Sequence, residues 1–453
     1  MTHPHSTSPT DLHAAGALVQ SGLSRIEEII EEAASIAAGN ACRHVFMPAR
    51  GHNAPAASIP AKSGGPDARL AGIPVSVKDL FDVAGQVTTA GSTVLAGAPP
   101  ARQDAIAVAR LRAAGAVLAG RTNMVEFAFS GVGVNPHYGT PVNPSDPHTE
   151  RIPGGSSSGA AVSVATGAAF IGLGSDTGGS LRIPAALCGI VGFKSTARLV
   201  PTTGTIPLSS SLDTIGALTR SVRDAVLAHE ILSARTVQLT GRPLSSYRLA
   251  VARTVMQDAL SSTVATAFER SLQVLRQAGA QIEEIPLQEI DELASINATG
   301  GLSAAQSHAW HRKLLADHQA QYDPRVALRI LRGARMSAAD YIDLLAARQA
   351  WIKRMQLRLA AFDAVLSPSV PIVAPSIASI IDNDDEFFRV NSLLLRNTSV
   401  VNMLDGCAIS LPCHAPDELP VGLMLWHAEL HDDSVLNLAL QVEACLALSL
   451  HNQ

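Results

Sequence analysis

One lysine, three consecutive serines and a second glycine-rich turn are the groups in this sequence whose types and spacing could do chemistry. Lys78 interrupts the β-branched run VSVKD at 75–79. Judged alone, such a lysine reads as the polar mark of an edge strand. Buried, it would be desolvated, which disfavours its charge and lowers its pKa from ~10.4 by several units, giving a base at neutral pH. Residues 152–161 read IPGGSSSGAA. Taken literally, 155–159 matches G-x-S-x-G, an elbow that presents Ser157 as a nucleophile. An elbow, however, follows directly on a hydrophobic strand. Here NPSDPHTERIPGG, polar and proline-rich, precedes it. A flexible Gly/Ser linker is the plain alternative. Residues 174–184, GSDTGGSLRIP, end a short apolar run at Asp176 and continue Thr-Gly-Gly-Ser. The glycines allow backbone N–H groups to converge on one point, a cradle for an anion or a developing oxyanion. A tight turn between strand and helix is the other reading.

The elements that must position these groups follow an alternating pattern. IPVSVKDLFDV reads as a strand, and DAIAVARLRAAGAVLAGRTN as helix, glycine stop and buried strand. Residues 159–174 read as a core helix followed by a strand, too short at that polarity for a membrane span. Strand–helix–strand order recurs to about residue 230, and again in YRLAVARTV and VATAFERSLQVLRQAGAQIEEI. This predicts an α/β fold, a central sheet covered by helices on both faces. Residues 11–38 read as helical, HNAPAASIPAKSGGPDA as a loop, and about 290–355 as mainly helical and more polar. FDAVLSPSVPIVAP and LPVGLMLW bring strands back after that helical stretch, and the last segment is helical. The organisation expected is a disordered tail at 1–10 and one domain over 11–453, with its core at 70–225.

Composition narrows the class. The chain has 453 residues, 47% hydrophobic and 16% charged, with a net charge of −5. This is a globular balance, and it disfavours nucleic acid as a main partner. Five cysteines, an odd number without C-x-x-C spacing, read as reduced thiols of a cytoplasmic protein. MTHPHSTSPT lacks the order of a signal peptide.

The motifs in combination resemble the amidase signature family. The resemblance rests on Lys78 in GIPVSVKDLFDVAG, the serines of PGGSSSGAAVSVATG and Ser180 in LGSDTGGSLRIPAALCGIVGFKST. The 24 positions between Ser156 and Ser180 match the family's spacing of relay serine and nucleophile. TTAGS, GRTNMVEFAFSG, YGTPVNP and SLDTIGALTRSV extend it. It implies a Ser–cis-Ser–Lys triad: Ser180 as acyl-accepting nucleophile, Ser156 in a cis peptide linkage as relay, Lys78 as base. The backbone N–H groups of Thr177, Gly178, Gly179 and Ser180 would form the oxyanion hole. Ser157, Asp176 and Arg182 would support the loop, with Arg182 neutralising buried carboxylates such as Asp213. No metal or organic cofactor is implied. Two positions depart from the family pattern: Ser158 where glycine is common, and Ser195 where proline is usual.

The function expected is hydrolysis of a C–N bond in a small amide, aryl amide, urea or carbamate, without nucleic-acid or membrane partners, and with a homodimer as the family-level expectation. Specificity is expected from EFAFSGVG, especially Phe129 and Ser130, and from the helical region, where His308, Trp310 and Tyr322 are candidates. An apolar lining by Phe127 and Phe129 suits an aryl or alkyl acyl group. The lack of an obvious Arg/Lys cluster in the variable region speaks against a strongly anionic substrate. The alternative is the glutaminase (A) subunit of a tRNA-dependent amidotransferase, although KSTARLVPTTGTIPLSSSLD lacks the KPTYGRVSR-type run of those subunits.

Overall fold

The computed structural model describes residues 11–48 and 68–451. The expected tail at 1–10 and nearly all of the loop at 52–68 lie outside the described residues. Ten strands form one sheet: β1 (Pro74–Lys78), β2 (Val117–Thr122), β3 (Ile171–Asp176), β4 (Val191–Lys194), β5 (Thr214–Thr219), β6 (Arg248–Ala252), β7 (Gln281–Ile285), β8 (Ala364–Pro368), β9 (Cys407–Pro412) and β10 (Gly422–His427). Their order is β2-β1-β3-β5-β4-β9-β10-β8-β6-β7. Both ends of the sheet are parallel (β2-β1-β3 and β8-β6-β7), and the strands between pair antiparallel. The fold is thus α/β with a mixed sheet.

The helices are α1 (Leu12–Gln20), α2 (Ile26–Ala38), α3 (Ile106–Ala113), α4 (Ser158–Thr166), α5 (Arg182–Cys188), α6 (Val222–Ser233), α7 (Ser262–Gln277), α8 (Glu292–Ile296), α9 (Gly301–His318), α10 (Pro324–Leu331), α11 (Ala338–Leu359), α12 (Asp384–Met403) and α13 (Asp432–His451). Strand alternation shows why they lie on both faces. Leu249, Val251, Leu423 and Leu425 pack with α6, α7 and α13. Their neighbours Ala250, Ala252, Met424 and Trp426 pack with α11 and α12. Successive side chains of a strand point to opposite faces, so both sets must be apolar when both faces are covered.

Two elements differ from expectation. The stretch at 11–38 is two helices, because Gly22 takes a left-handed φ of 71° between them. The long helix α12 was not expected from the pattern. Asn383 caps it by accepting from the Glu386 N–H, and Asp384, Asp385 and Glu386 fill its first turn, where acids favour the helix dipole. The helical stretch expected at 290–355 is present as α8–α11, and β8–β10 then return to the same sheet.

Candidate active site

β1 is paired on both sides, to β2 and β3, so Lys78 is not an edge residue. Val75 and Val77 favour the extended backbone, and every residue of β1 is buried. Lys78 stands at the carboxyl end of its strand, the end where parallel α/β sheets place their ligand sites. Its side chain is fully buried, with no carboxylate in contact. Three hydroxyls surround Nζ instead: Ser156 Oγ at 2.7 Å, Ser175 Oγ at 2.9 Å and Ser157 Oγ at 3.0 Å. Burial lowers its pKa to about 7, against the partial pull of the Asp176 and Asp213 charges.

The serine run reaches Lys78 through a tight backbone. Gly154 has a φ of 74°, and a side chain on Gly155 would meet the backbone of Gly133 at 2.9 Å. The Gly155 N–H donates to Gly131 O at 2.8 Å, and the peptide bond Gly155–Ser156 is cis. The Ser156 carbonyl accepts from the Val125 N–H. Ser157 then starts α4, its hydroxyl donating to Ser175 O at 3.2 Å. Gly159 lies against the backbone of Val45 and Asn123. Ser158 fits there without disturbing the turn, its hydroxyl directed to Asn123 O at 3.5 Å. At the other departure, Ser195 Oγ is buried without a hydrogen-bond partner among the described residues.

The turn after β3 is organised by Asp176. Its carboxylate accepts from the N–H groups of Gly179 (2.9 Å) and Leu181 (3.2 Å). Arg182 meets it with a fork, Nε at 3.0 Å and NH2 at 2.9 Å. Burial raises the Asp176 pKa, but the Arg182 charge and hydrogen bonds, with Lys194 and Asn402, outweigh it and hold the value at about 2. The expected contact of Arg182 with Asp213 is corrected: its fork matches the carboxylate six positions back. Asp213 is held by Thr177 Oγ1 at 2.6 Å and by the N–H groups of Leu208 and Ser209. Of the four N–H groups expected to face an oxyanion, that of Gly179 is taken by Asp176. Those of Thr177, Gly178 and Ser180 donate to no acceptor among the described residues. Ser180 is 4% exposed, and its hydroxyl has no hydrogen-bond partner among the described residues.

The segment holding Phe129 and Ser130 is pressed against this site. Gly131 and Gly133 border Gly154–Gly155, and Leu395 of α12 contacts both Gly131 and Gly178 at the positions a side chain would take. Phe127 (φ 48°) and Ala128 (φ 61°) are left-handed, a conformation costing L residues about 1–2 kcal/mol each. The Phe127 ring is held by His311, Trp310 and Tyr322, and its N–H donates to Ala90 O. Ser130 Oγ lies 3.1 Å from Asn391 Oδ1 of α12. Tyr322 bonds His311, Trp310 is 37% exposed, and no contact brings His308 to the segment among the described residues. Sequence reasoning missed Arg329. Its guanidinium stacks 4.6 Å from the Phe129 ring and donates to Phe129 O, with no carboxylate in contact. Burial and the neighbouring Arg332 lower its pKa to about 10.

The family model described as Amidase matches residues 23–436. The chain belongs to the amidase family. This amidase is an enzyme acting on C–N bonds, and its relatives carry that chemistry in their names. It is 37% identical over 386 residues to the 2-amino-5-chloromuconic acid deaminase of Comamonas testosteroni, covering 83% of this chain and 82% of that one. It is 32% identical over 406 residues to the glutaminase-type (A) subunit of the glutamyl-tRNA(Gln) amidotransferase of Symbiobacterium thermophilum, covering 82% of each. A crystal structure of an amidase superposes with a TM-score of 0.85 at 32% identity, covering 96% of this chain and 99% of that one. Among the described residues of the amidase, no helix is long and apolar enough to cross a membrane.

Proposed function

We propose that this amidase hydrolyses a small, carboxylate-bearing amide or amine derivative through an acyl-enzyme on Ser180. The carrying observation is the buried contact of Lys78 Nζ with Ser156 Oγ at 2.7 Å. With its pKa near 7, Lys78 is available as a neutral amine. It takes the Ser156 proton, Ser156 takes that of Ser180, and Ser180 Oγ bonds to the substrate carbonyl carbon. The free N–H groups of Thr177, Gly178 and Ser180 support the reading that the oxyanion is held there. The proton then returns through Ser156 to the leaving nitrogen as the C–N bond breaks. Water attacks the acyl-enzyme by the same relay and regenerates Ser180.

The acidic substrate rests on Arg329, a cation beside Phe129 with no carboxylate of the protein in contact. A guanidinium of this kind is suited to bind a carboxylate through its remaining N–H groups. The deaminase relative, named for an acid, agrees with this choice. This replaces the expectation of a non-anionic substrate. A panel of amides, anilides, ureas and carbamates, each with and without a carboxylate, tests it with Ser180→Ala as blank. Ser180→Ala is expected to be inactive. Arg329→Gln is expected to lower kcat/KM for the acidic members about 10- to 100-fold and to spare the neutral ones. Equal loss on both would remove the carboxylate assignment.

A second reading, a glutaminase component of a tRNA-dependent amidotransferase, is favoured by the relatives of that name at 30–32% identity. Steady turnover of a panel member by the chain purified alone, with no response to glutamine, decides for the first reading.

A further inference from the structure

The peptide unit between Gly178 and Gly179 is held at both ends. Its N–H donates to Asp176 Oδ1 at 2.9 Å. Its carbonyl accepts from Thr398 Oγ1 at 2.6 Å, across 220 positions of sequence. Thr398 is fully buried on α12, and its own carbonyl accepts from Arg182 NH1 at 3.0 Å. One turn further, Asn402 donates Nδ2 to Asp176 Oδ1 at 2.9 Å and accepts from Arg182 NH2 at 2.7 Å. Gly179 has a φ of 137°, and a side chain there would run into the Thr398 hydroxyl. Nothing but hydrogen bonds sets the plane of a peptide between two glycines, because neither residue has a Cβ to restrict rotation.

We infer that the Thr398 hydroxyl is a positioning residue for the oxyanion hole. It touches neither substrate nor Ser180. It fixes the 178–179 peptide plane, and through the shared α-carbons it sets the directions of the two flanking N–H groups, those of Gly178 and Ser180. Those are two of the three free donors. An oxyanion hole works only when its donors are already aimed before charge develops. The inference rests on the acyl-enzyme reading above. It assigns to α12 a part in turnover, which its distance in sequence from Ser180 does not suggest.

The test replaces Thr398 with valine, which keeps the branched shape and removes the donor. Labelling by a fluorophosphonate, saturated and followed by mass, separates the maximal rate from the half-saturating concentration. Thr398→Val is expected to slow the maximal rate about 10- to 100-fold, less than the ~10²–10³ of a donor lost outright. The half-saturating concentration is expected to stay within about twofold, and Thr398→Ser, which restores the hydroxyl, to recover most of the rate. A Thr398→Val protein that labels at the wild-type rate overturns the inference. So does a Thr398→Ser protein as slow as the valine variant, since a packing role alone would then explain the loss. If the valine variant is not recovered folded, Thr398→Ala is read by the same two criteria. Ser180→Ala separates the two levels: persistent labelling there overturns the acyl-enzyme reading itself, whatever Thr398 does.

Discussion

Two cations are buried without exposure at opposite flanks of the same turn, and their surroundings differ. Lys78 ends β1 among three serine hydroxyls. Arg182 starts α5 against a carboxylate, a backbone carbonyl and a side-chain amide. Hydroxyls satisfy the hydrogen bonds of an amine in either protonation state, because each can donate or accept. They offer no charge to offset desolvation, and the Lys78 pKa falls to about 7. The Asp176 carboxylate instead matches the geometry of a guanidinium, which does not give up its proton in proteins. One site therefore holds a proton that can move, and the other a charge that cannot. The difference lies in the partners, since the depth of burial is the same.

Substitution should separate these roles, the largest effect first. Lys78→Met is expected to lower fluorophosphonate labelling about 10²–10⁴-fold, the range of a lost general base. Arg182→Met leaves Asp176 as an uncompensated buried charge and is expected to cost about 3–5 kcal/mol in denaturant unfolding. Equal stability losses in the two variants would break the distinction between mobile proton and fixed charge.

Smaller effects sharpen the Lys78 side. Its folded pKa of about 7 lies below the ordinary 10.5. Between those values the unfolded chain binds a proton that the folded chain does not, so this group makes stability rise with pH across that window. Below about pH 7 the cost of burying its charge is fully present. Lys78→Met should therefore be about 1–3 kcal/mol more stable than wild type at pH 6, with the gap closing toward pH 10. Urea titrations at both pH values read this directly; a gap that widens with pH would contradict the assignment. Ser157→Ala removes one of the three hydroxyls and its bond to Ser175 O. Its labelling is expected to fall only about five- to tenfold, the worth of about one hydrogen bond.

The two flanks also differ in how well the sequence reveals them. Lys78, Ser156 and Ser180 each stand in a local run whose composition is unusual on its own, a lysine in a valine strand or serines among glycines. Such signals survive without knowledge of tertiary contacts, as do the strands of the sheet, whose two buried faces leave continuous apolar runs. The α12 side is hidden for a physical reason. This helix turns Asn391, Asn397, Thr398 and Asn402 inward, so its buried face is polar and breaks the apolar periodicity by which a helix is recognised. Its cap at Asn383 and the three acids that follow are the available signal. Arg329 is hidden similarly, as one charge in a helix that carries Arg325 as well. Only the stacking on Phe129 distinguishes it. Sequence alone points Arg182 at Asp213, because it supplies candidate carboxylates without distances. The single helix expected at 11–38 fails at Gly22, where a left-handed turn interrupts an otherwise periodic stretch.

The central claim, that Lys78 acts on Ser180 through Ser156, is tested most directly without knowing the substrate. The rate of fluorophosphonate labelling is measured from pH 5 to pH 9, and the modified residue is located by mass spectrometry. The adduct is expected on Ser180 alone. Its rate should rise about tenfold per pH unit below pH 7 and level above it, as a base with a pKa of about 7 loses its proton. In Lys78→Met the labelling should be slow and independent of pH. An adduct on Ser156 or Ser157, or a wild-type rate already flat from pH 5 upward, would contradict the account.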